Sequence, residues 1–334
     1  MTALAPHLSI YLREHLPRER AVSPHTVKTY ANCFVLLVQF AADRLKRRPT
    51  DLEVEDLGTD MIMAFLDHVE IGRGSCVRTR NGRLAAIRSF FRYIEYRIPA
   101  CLDQALRVRA IPTKKTDKAL IDYLDRAEIK ALLDTPDPRT RLGTRDRAML
   151  HLTYAGGLRV SELVTLQLGD FPDRSLSTMH IMGKGRRERV LPLWKETQIA
   201  LRAWLAIRPQ VEVTEIFLNA NGQPMTRDGF AFRLAEHVKT AATKQPSILG
   251  KRVTPHVLRH SCAMHTLAAT GDIRKVALWL GHASIQSTET YLRADPEEKL
   301  QILAAHGAPA IKPGRFKPPS DALITMLTDV RRRA

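Results

Sequence analysis

Residues 256–260 read His-Val-Leu-Arg-His, and this stretch decides how the C-terminal part of the chain folds. It follows Thr254 and Pro255, which suit the N-cap and the first position of a helix. The pattern therefore predicts a helix with His256 and Arg259 in or next to its first turn.

Two more polar groups follow within about thirty-five residues that are otherwise mostly apolar. Gly271 and Gly281 should end two successive helices, and His282 comes directly after the second glycine. A short helix at about residues 284–293 would carry Tyr291. An arginine, several histidines and a tyrosine together indicate a site for chemistry on a phosphodiester.

The chain of 334 residues exceeds the usual size of one domain, so two domains are expected. Lys and Arg number 52 against 35 Asp and Glu, which gives a formal charge of +17. Such an excess favours a polyanionic partner such as nucleic acid, with a generic basic surface as the alternative.

Four scattered cysteines, without a C-x-x-C spacing, indicate neither a zinc site nor a disulfide framework. A reducing cytosol fits this pattern. No apolar run reaches membrane-spanning length and no secretory signal opens the chain. The expected location is cytoplasmic and nucleoid-associated.

The first hundred or so residues should form an all-α domain. Ser23 and Pro24 start one helix, another spans about residues 61–69, and a third spans about residues 78–96. Between residues 73 and 97 there are seven arginines and one acid, a bias that favours a phosphate-tracking surface. The candidate DNA contacts on this helix are Arg80, Arg83, Arg88 and Arg92.

A basic, proline-containing segment at 112–122 reads as a linker, and Asp125 with Glu128 forms a capping box that starts a new domain. Strands at 177–182 and 189–193 suggest a β-hairpin with a basic tip. The predicted division is therefore a helical core-binding domain (1–111), the linker, a catalytic domain (123–305) and a tail (306–334).

Four motifs stand in a fixed order over some 130 residues, where chance agreement is small. They are residues 156–162 (GGLRVSE), 183–185 (GKG), 256–260 (HVLRH), and 280–282 (LGH) with Tyr291 nine residues later. Together they resemble the tyrosine recombinases, or phage integrase family, which includes the Xer, Cre and lambda integrase types. Residues 23–30 and 83–91 resemble the family's N-terminal core-binding domain.

The resemblance implies a mainly α fold with a small β-sheet, made of an all-α SAM-like core-binding domain and a mixed α/β catalytic domain. It also implies a recombinase that clamps double-stranded DNA as a homotetramer on two sites and exchanges strands through a Holliday junction. The resemblance leaves open whether a related recombinase takes part as a partner. An Xer-like or Cre-like organisation is expected, without the extra arm-binding domain of lambda-type integrases.

The residues themselves fit metal-free phosphodiester transfer, so no cofactor is expected. The planar guanidinium groups of Arg159 and Arg259 can each donate hydrogen bonds to two phosphate oxygens. Tyr291 is the candidate nucleophile, and His256 is the expected acceptor of its proton. Lys184 is the preferred acid for the leaving 5′ oxygen, and His282 would position the phosphate or the tyrosine. These roles rest partly on the resemblance.

Several alternatives remain at the level of sequence. Lys195, Arg186 and Arg187 compete with Lys184 for the acid role, and the two arginines are also candidate DNA contacts. Glu162 and His260 are expected to support the site, with helix packing and core packing as the other interpretations. His256 and His260 have metal-compatible spacing, but no third ligand is placed, so no metal is expected.

Two other functions remain possible on the same scaffold: a non-catalytic DNA-binding regulator, and a type IB topoisomerase or telomere-resolvase-like strand transferase. The complete set of candidate catalytic residues argues against the first, and the compact motif spacing against the second.

In the tail, four apolar residues recur on one helical face, Leu323, Met326, Leu327 and Val330. This helix is expected to dock on a neighbouring protomer, with packing in cis as the alternative.

Overall fold

The structure is a computed structural model that describes residues 2–117, 120–173, 175–183, 187–282, 284–294 and 322–333. For residues 187, 293, 294, 322–325 and 333 it describes the backbone only. The chain divides into two compact units, Met1–Lys118 and Ala119–Ala334. Helices dominate both units, and the described residues contain a single sheet, of two strands.

The first unit is all-α. Its helices are α1 (Leu4–Ile10), which continues into a π-helical segment (Tyr11–Glu19), α2 (Pro24–Leu45), α3 (Thr59–Asp67), α4 (Val77–Arg97) and α5 (Leu102–Ala110). The predicted cap is present, since Ser23 Oγ accepts the backbone N–H of Thr26 at 3.3 Å. The sequence prediction missed α1 and α5, because both are too short for a clear helical period.

An aromatic cluster forms the centre of the first unit. The Tyr11 ring packs edge-on against Phe34 and Phe90, with centroids 6.1 and 5.2 Å apart. All three residues are at most 1% exposed. The cluster joins the π-helical segment to α2 and α4, so α4 is held by its apolar face and its other face is left for arginines.

The arginines of α4 differ in their exposure, and one prediction among them is wrong. Arg80 is 2% exposed and its Nε lies 3.7 Å from Glu70, so it packs inside the unit and is not a candidate for DNA contact. Arg88 is half-buried and donates to the carbonyl of Ile111, while Arg83 is half-buried and Arg92 is exposed. Helical periodicity turns Arg80 toward the core, which a count of charges does not reveal.

The second unit holds the remaining elements. They are α6 (Arg126–Leu133), α7 (Arg141–Ala155), α8 (Val160–Val164), β1 (Thr178–Gly183), β2 (Arg187–Pro192), α9 (Lys195–Ile207), α10 (Arg227–Lys244), α11 (Pro255–Thr270), α12 (Ile273–Leu280), α13 (Glu289–Ala294) and α14 (Ala322–Arg333). The capping box at Asp125 and Glu128 is present, with both bonds at 2.8 Å. It fixes the start of α6.

The two strands pair antiparallel in a register that matches Thr178 with Pro192 and Gly183 with Arg187. Only residues 184–186 join them. Met179, Ile181 and Leu191 face the core and are at most 3% exposed, whereas Met182 and Val190 are more than half exposed. One face of the hairpin is thus anchored to the unit.

Three elements around α11 bring the candidate residues together. Helix α11 packs on α7, on α12 and on α13, with Tyr291 inside a small apolar cluster beside Met264, Leu267 and Val276. Gly271 and Gly281 end α11 and α12 in the left-handed conformation, at φ values of 61° and 63°. Among the residues that the structure describes, no helix has the length and apolar character needed to cross a membrane.

Candidate active site

A glycine turn sets the position of Arg159. Gly157 has φ +53°, and a Cβ added there would lie 2.5 Å from the Leu280 side chain and 3.3 Å from Cys262, so a larger residue would be strained and would have to displace Leu280. Arg159 follows in extended conformation as the N-cap of α8. The turn therefore packs the backbone before Arg159 against Leu280 and Cys262, and the Arg159 side chain contacts Glu162.

Glu162 is a buried carboxylate surrounded by guanidinium groups. It accepts from Arg159 Nη1 at 2.6 Å and from Arg189 Nη2 at 2.9 Å, and Arg259 Nη1 lies 3.9 Å away. Burial alone would raise its pKa, but the bonds from Arg189 and Arg159 outweigh burial and keep the pKa below its ordinary value. Glu162 therefore stays ionised and holds the arginines in place.

Arg259 is 4% exposed and is bound on both terminal nitrogens. Nη1 donates to the carbonyl of Gly157, and Nη2 donates to the carbonyl of Leu280 at 2.9 Å. Burial, followed by the nearby charge of Arg159, lowers the pKa of Arg259 to about 10, so it remains charged at neutral pH. Three guanidiniums around one carboxylate leave an excess of positive charge that suits a phosphate.

Tyr291 lies 2% exposed on α13. Its Oη is 3.0 Å from Nδ1 of His260. Burial raises the pKa of Tyr291 to about 12, although the charges of Arg259 and Arg159 act in the opposite direction. The hydroxyl therefore needs a proton acceptor before it can act as a nucleophile at neutral pH.

His282 lies beside the tyrosine. Its ring is nearly parallel to the Tyr291 ring, with an interplanar angle of 9° and centroids 6.4 Å apart. Its Nδ1 is 2.7 Å from Oγ1 of the buried Thr288, which fixes the ring orientation. Burial, together with Arg259 and Arg159, lowers the pKa of His282 to about 4, so the imidazole is neutral at physiological pH.

The structure differs from the sequence prediction on the histidine that faces the tyrosine. His256 is exposed in the first turn of α11, and its ring lies over that of His260, 6.4 Å away. His260, expected to be a supporting residue, contacts Tyr291 instead. One helical turn separates His256 from His260 on α11. Which of the two faces Tyr291 depends on how α13 packs against α11, and the motif does not encode that packing.

Two of the predicted residues on the hairpin, Lys184 and Arg186, lie outside the described residues. The side chain of Arg187 also lies outside them, and Lys195 is exposed near the start of α9. The structure thus assembles Arg159, Arg259, His282 and Tyr291, with Glu162 and His260, and does not test the assignment of the acid.

Arg189 was missed by the sequence analysis. It lies on β2, its side chain is 9% exposed, and it binds Glu162. A signal was present in the sequence, because residue 189 shares a strand face with Leu191, which is buried. A charged residue on the buried face of a strand needs a partner, and here the partner is Glu162.

Comparison with known proteins identifies the same two parts of the chain. Residues 122–298 match the phage integrase family, and residues 11–97 match the N-terminal SAM-like domain of phage integrases. A putative integrase/recombinase, y4rC of Sinorhizobium fredii, is 39% identical over 98% of both chains. The tyrosine recombinase XerC of Myxococcus xanthus is 35% identical over 90% of this chain and 97% of its own.

Among solved structures, the site-specific recombinase XerH bound to a palindromic difH substrate in a post-cleavage complex has a TM-score of 0.64. It is 21% identical and covers 88% of this chain and 83% of its own, so it shows a common fold. These matches and the helical architecture with its small sheet confirm the predicted fold class.

Proposed function

This chain belongs to the phage integrase family and is a site-specific DNA recombinase, and we propose that Tyr291 is the nucleophile with which it cleaves DNA. One observation carries the proposal: the buried hydroxyl of Tyr291 lies 3.0 Å from an imidazole whose neighbour in the chain, Arg259, belongs to the guanidinium cluster on Glu162. A packed core tyrosine requires no such surroundings.

The proposed reaction is a transesterification. Tyr291 Oη attacks the phosphorus, the bond to the 5′ oxygen breaks, and the DNA remains linked through a 3′-phosphotyrosine. Arg159 and Arg259 stabilise the charge on the non-bridging oxygens, and Lys184 gives a proton to the departing 5′ oxygen. Since one phosphodiester replaces another, a 5′ hydroxyl from a second strand reverses the step without ATP and forms a Holliday junction.

We propose that His260 accepts the proton of Tyr291 and that His256 contacts the phosphate. His260 faces the hydroxyl directly, and burial, with the nearby charges of His256 and Arg259, lowers its pKa to about 4. His260 is therefore neutral throughout the physiological range, and in the tautomer that carries its hydrogen on Nε2 the Nδ1 atom accepts the hydrogen bond and then the proton of Tyr291. His256 is exposed at the N-terminal turn of α11, where the helix dipole favours a phosphate oxygen.

The pH dependence of cleavage distinguishes the two histidines. With His260→Ala, we expect cleavage at pH 7 to fall by about 100-fold, the lower end of general-base catalysis. The rate should then rise about tenfold per pH unit between pH 7 and 9, because hydroxide must ionise a tyrosine whose pKa is about 12. Wild-type cleavage should be flat over that range. If the cleavage rate rose with pH in the His256→Ala protein and not in the His260→Ala protein, His256 would be the proton acceptor instead.

The test of the proposed function uses a nicked suicide duplex that carries a recombination site of this protein. We expect an adduct that survives SDS, forms in EDTA, and maps by peptide mass spectrometry to the peptide containing Tyr291. A requirement for a divalent metal, or an adduct on another residue, would contradict the proposal.

We further propose that the chain acts as a homotetramer on two DNA sites in the cytoplasm, at the nucleoid, with 1–111 as the core-binding domain and 123–305 as the catalytic domain. Family membership and the charge of +17 support DNA contact by the first unit. Arg92, which is exposed, and the half-buried Arg83 and Arg88 remain candidates for that contact.

The tail helix α14 is proposed to dock on a neighbouring protomer. Met326, Leu327 and Val330 lie on one face and are more than half exposed, while the side chain of Leu323 is outside the described residues. Deletion of residues 311–334 should leave cleavage of a single site intact and weaken tetramer assembly, as measured by light scattering on two-site DNA. Normal assembly and recombination by the truncated protein would exclude this role.

A further inference from the structure

We propose that Thr288 is a positioning residue of the cleavage step, which holds His282 in the tautomer that donates a hydrogen bond to the phosphate under attack. This inference rests on the proposed function, in which the arginines of the site hold that phosphate for Tyr291. Its physical basis is a buried contact between the Thr288 hydroxyl and the His282 ring.

Thr288 is fixed through both its backbone and its side chain. It is 0% exposed, and its N–H donates to the carbonyl of Ile285 at 2.7 Å. Its own carbonyl accepts the backbone N–H of Tyr291 at 2.9 Å. Its Oγ1 lies 2.7 Å from Nδ1 of His282. One buried residue therefore joins the histidine ring to the backbone of the nucleophile.

The direction of this hydrogen bond follows from the burial of the hydroxyl. Among the residues that the structure describes, Nδ1 of His282 is the one hydrogen-bond partner of Thr288 Oγ1. If Nδ1 carried the hydrogen and donated it, the hydroxyl hydrogen of Thr288 would be buried without an acceptor, which costs free energy. The hydroxyl therefore donates to Nδ1, and the hydrogen of the neutral imidazole lies on Nε2.

The tautomer matters because His282 is neutral. Burial, and then the charges of Arg259 and Arg159, lower its pKa to about 4, so the ring cannot act as a cation at neutral pH. With its hydrogen on Nε2, the ring still offers a donor to a phosphate oxygen held by these guanidiniums. The other tautomer would present a lone pair and repel that oxygen. Thr288 thus decides the sign of the interaction between His282 and the phosphate.

The Nε2 atom is available for this role. It makes no hydrogen bond with any residue in the described part of the chain, whereas Nδ1 is held by Thr288. The His282 ring also lies nearly parallel to the ring of Tyr291, at 9°. Because Thr288 contacts both residues, its hydroxyl keeps the donor and the nucleophile in one fixed arrangement.

The experiment separates the hydroxyl of Thr288 from its bulk. Thr288→Val replaces the hydroxyl with a methyl group of similar size, and Thr288→Ser keeps the hydroxyl but loses the methyl group. The matched control is Thr290→Val, the same exchange on the same helix at a half-buried side chain. Cleavage of the nicked suicide duplex is measured with each full-length protein, and thermal melting shows that each protein is folded.

We expect Thr288→Val to cleave about tenfold more slowly than wild type, as is typical when a functional histidine loses the partner that orients it. Thr288→Ser should stay within about threefold of wild type, because it keeps the hydrogen bond. Thr290→Val should cleave at the wild-type rate. If Thr288 only packed the start of α13, cleavage would follow stability and would not depend on the hydroxyl.

The tautomer is read directly by NMR of the free protein with isotope-labelled histidine. Correlations between ring protons and ring nitrogens distinguish the nitrogen that bears hydrogen from the one that does not, and the His282 signals are those missing from His282→Gln. Wild type and Thr288→Ser should carry the hydrogen on Nε2. In Thr288→Val the Nδ1 resonance should move, because it loses the hydrogen bond that it accepts.

A wild-type His282 with its hydrogen on Nδ1 would overturn the inference, and so would a wild-type cleavage rate in folded Thr288→Val. An equal defect in Thr288→Ser and Thr288→Val would also overturn it and assign Thr288 to packing. Failure of the proposed function looks different, since wild type would then form no adduct, or Tyr291→Phe would still form one, whatever tautomer the free protein shows.

Discussion

Tyr291→Phe protein is expected to form no covalent DNA adduct, with cleavage reduced by more than about a thousandfold. The substitution removes the only atom that can bond to phosphorus in the proposed step and keeps the ring that packs beside Met264 and Leu267. The measurement is adduct formation on the nicked suicide duplex, resolved on an SDS gel.

Folding should survive this change. The lost hydrogen bond to His260 is worth about 1 kcal/mol, so the melting temperature should fall by only a few degrees. DNA binding, measured by electrophoretic shift, should be within about twofold of wild type, since the hydroxyl is buried. An adduct formed by a folded Tyr291→Phe protein would end the assignment of Tyr291 as nucleophile.

The second large effect separates the two arginines of the site. Arg159→Ala should slow cleavage by about 100- to 1,000-fold, the usual effect of removing one donor to a developing charge. Its stability cost should be about 1 kcal/mol, because the side chain is 26% exposed and Glu162 keeps its bond from Arg189. Arg159 is expected to serve chemistry more than folding.

Arg259→Ala should slow cleavage at least as much and also destabilise the second unit by about 3 kcal/mol. The reason is that the carbonyls of Gly157 and Leu280 lose their bonds in a buried place. Urea unfolding with cleavage assayed on the folded fraction measures both quantities. Equal stability of the two variants would show that Arg259 is not the structural link between the glycine turn and α12.

The helix boundaries show how far local rules reach. Ser23, Asp125 and Thr254 are the N-caps that the sequence predicted, and Gly271 and Gly281 end their helices as predicted, both in the left-handed conformation. These signals depend on a few neighbouring residues, so they can be read from the sequence. Thr140 caps α7 by the same local rule, since its side chain accepts the backbone N–H of Gly143.

The catalytic set could be predicted because each motif combines a backbone signal with a chemical group. Gly157 places Arg159, and Gly281 precedes His282, so sequence order already restricts where these side chains lie. Contacts between segments that are distant in the sequence could not be predicted from it. The burial of Arg80 against Glu70 and the bond of Arg189 to Glu162 depend on how helices and strands rotate as they pack.

By itself, the sequence determined that this protein has a helical N-terminal part, a recombinase catalytic part and a tyrosine accompanied by arginines and histidines. Local capping, periodicity and motif order carry that information. Only the tertiary structure decided that His260 rather than His256 faces Tyr291, and that Arg189 completes the cluster on Glu162. Both results depend on the approach of α13 and β2 to α11 and α8, and such long-range packing is set by the whole core rather than by any one motif.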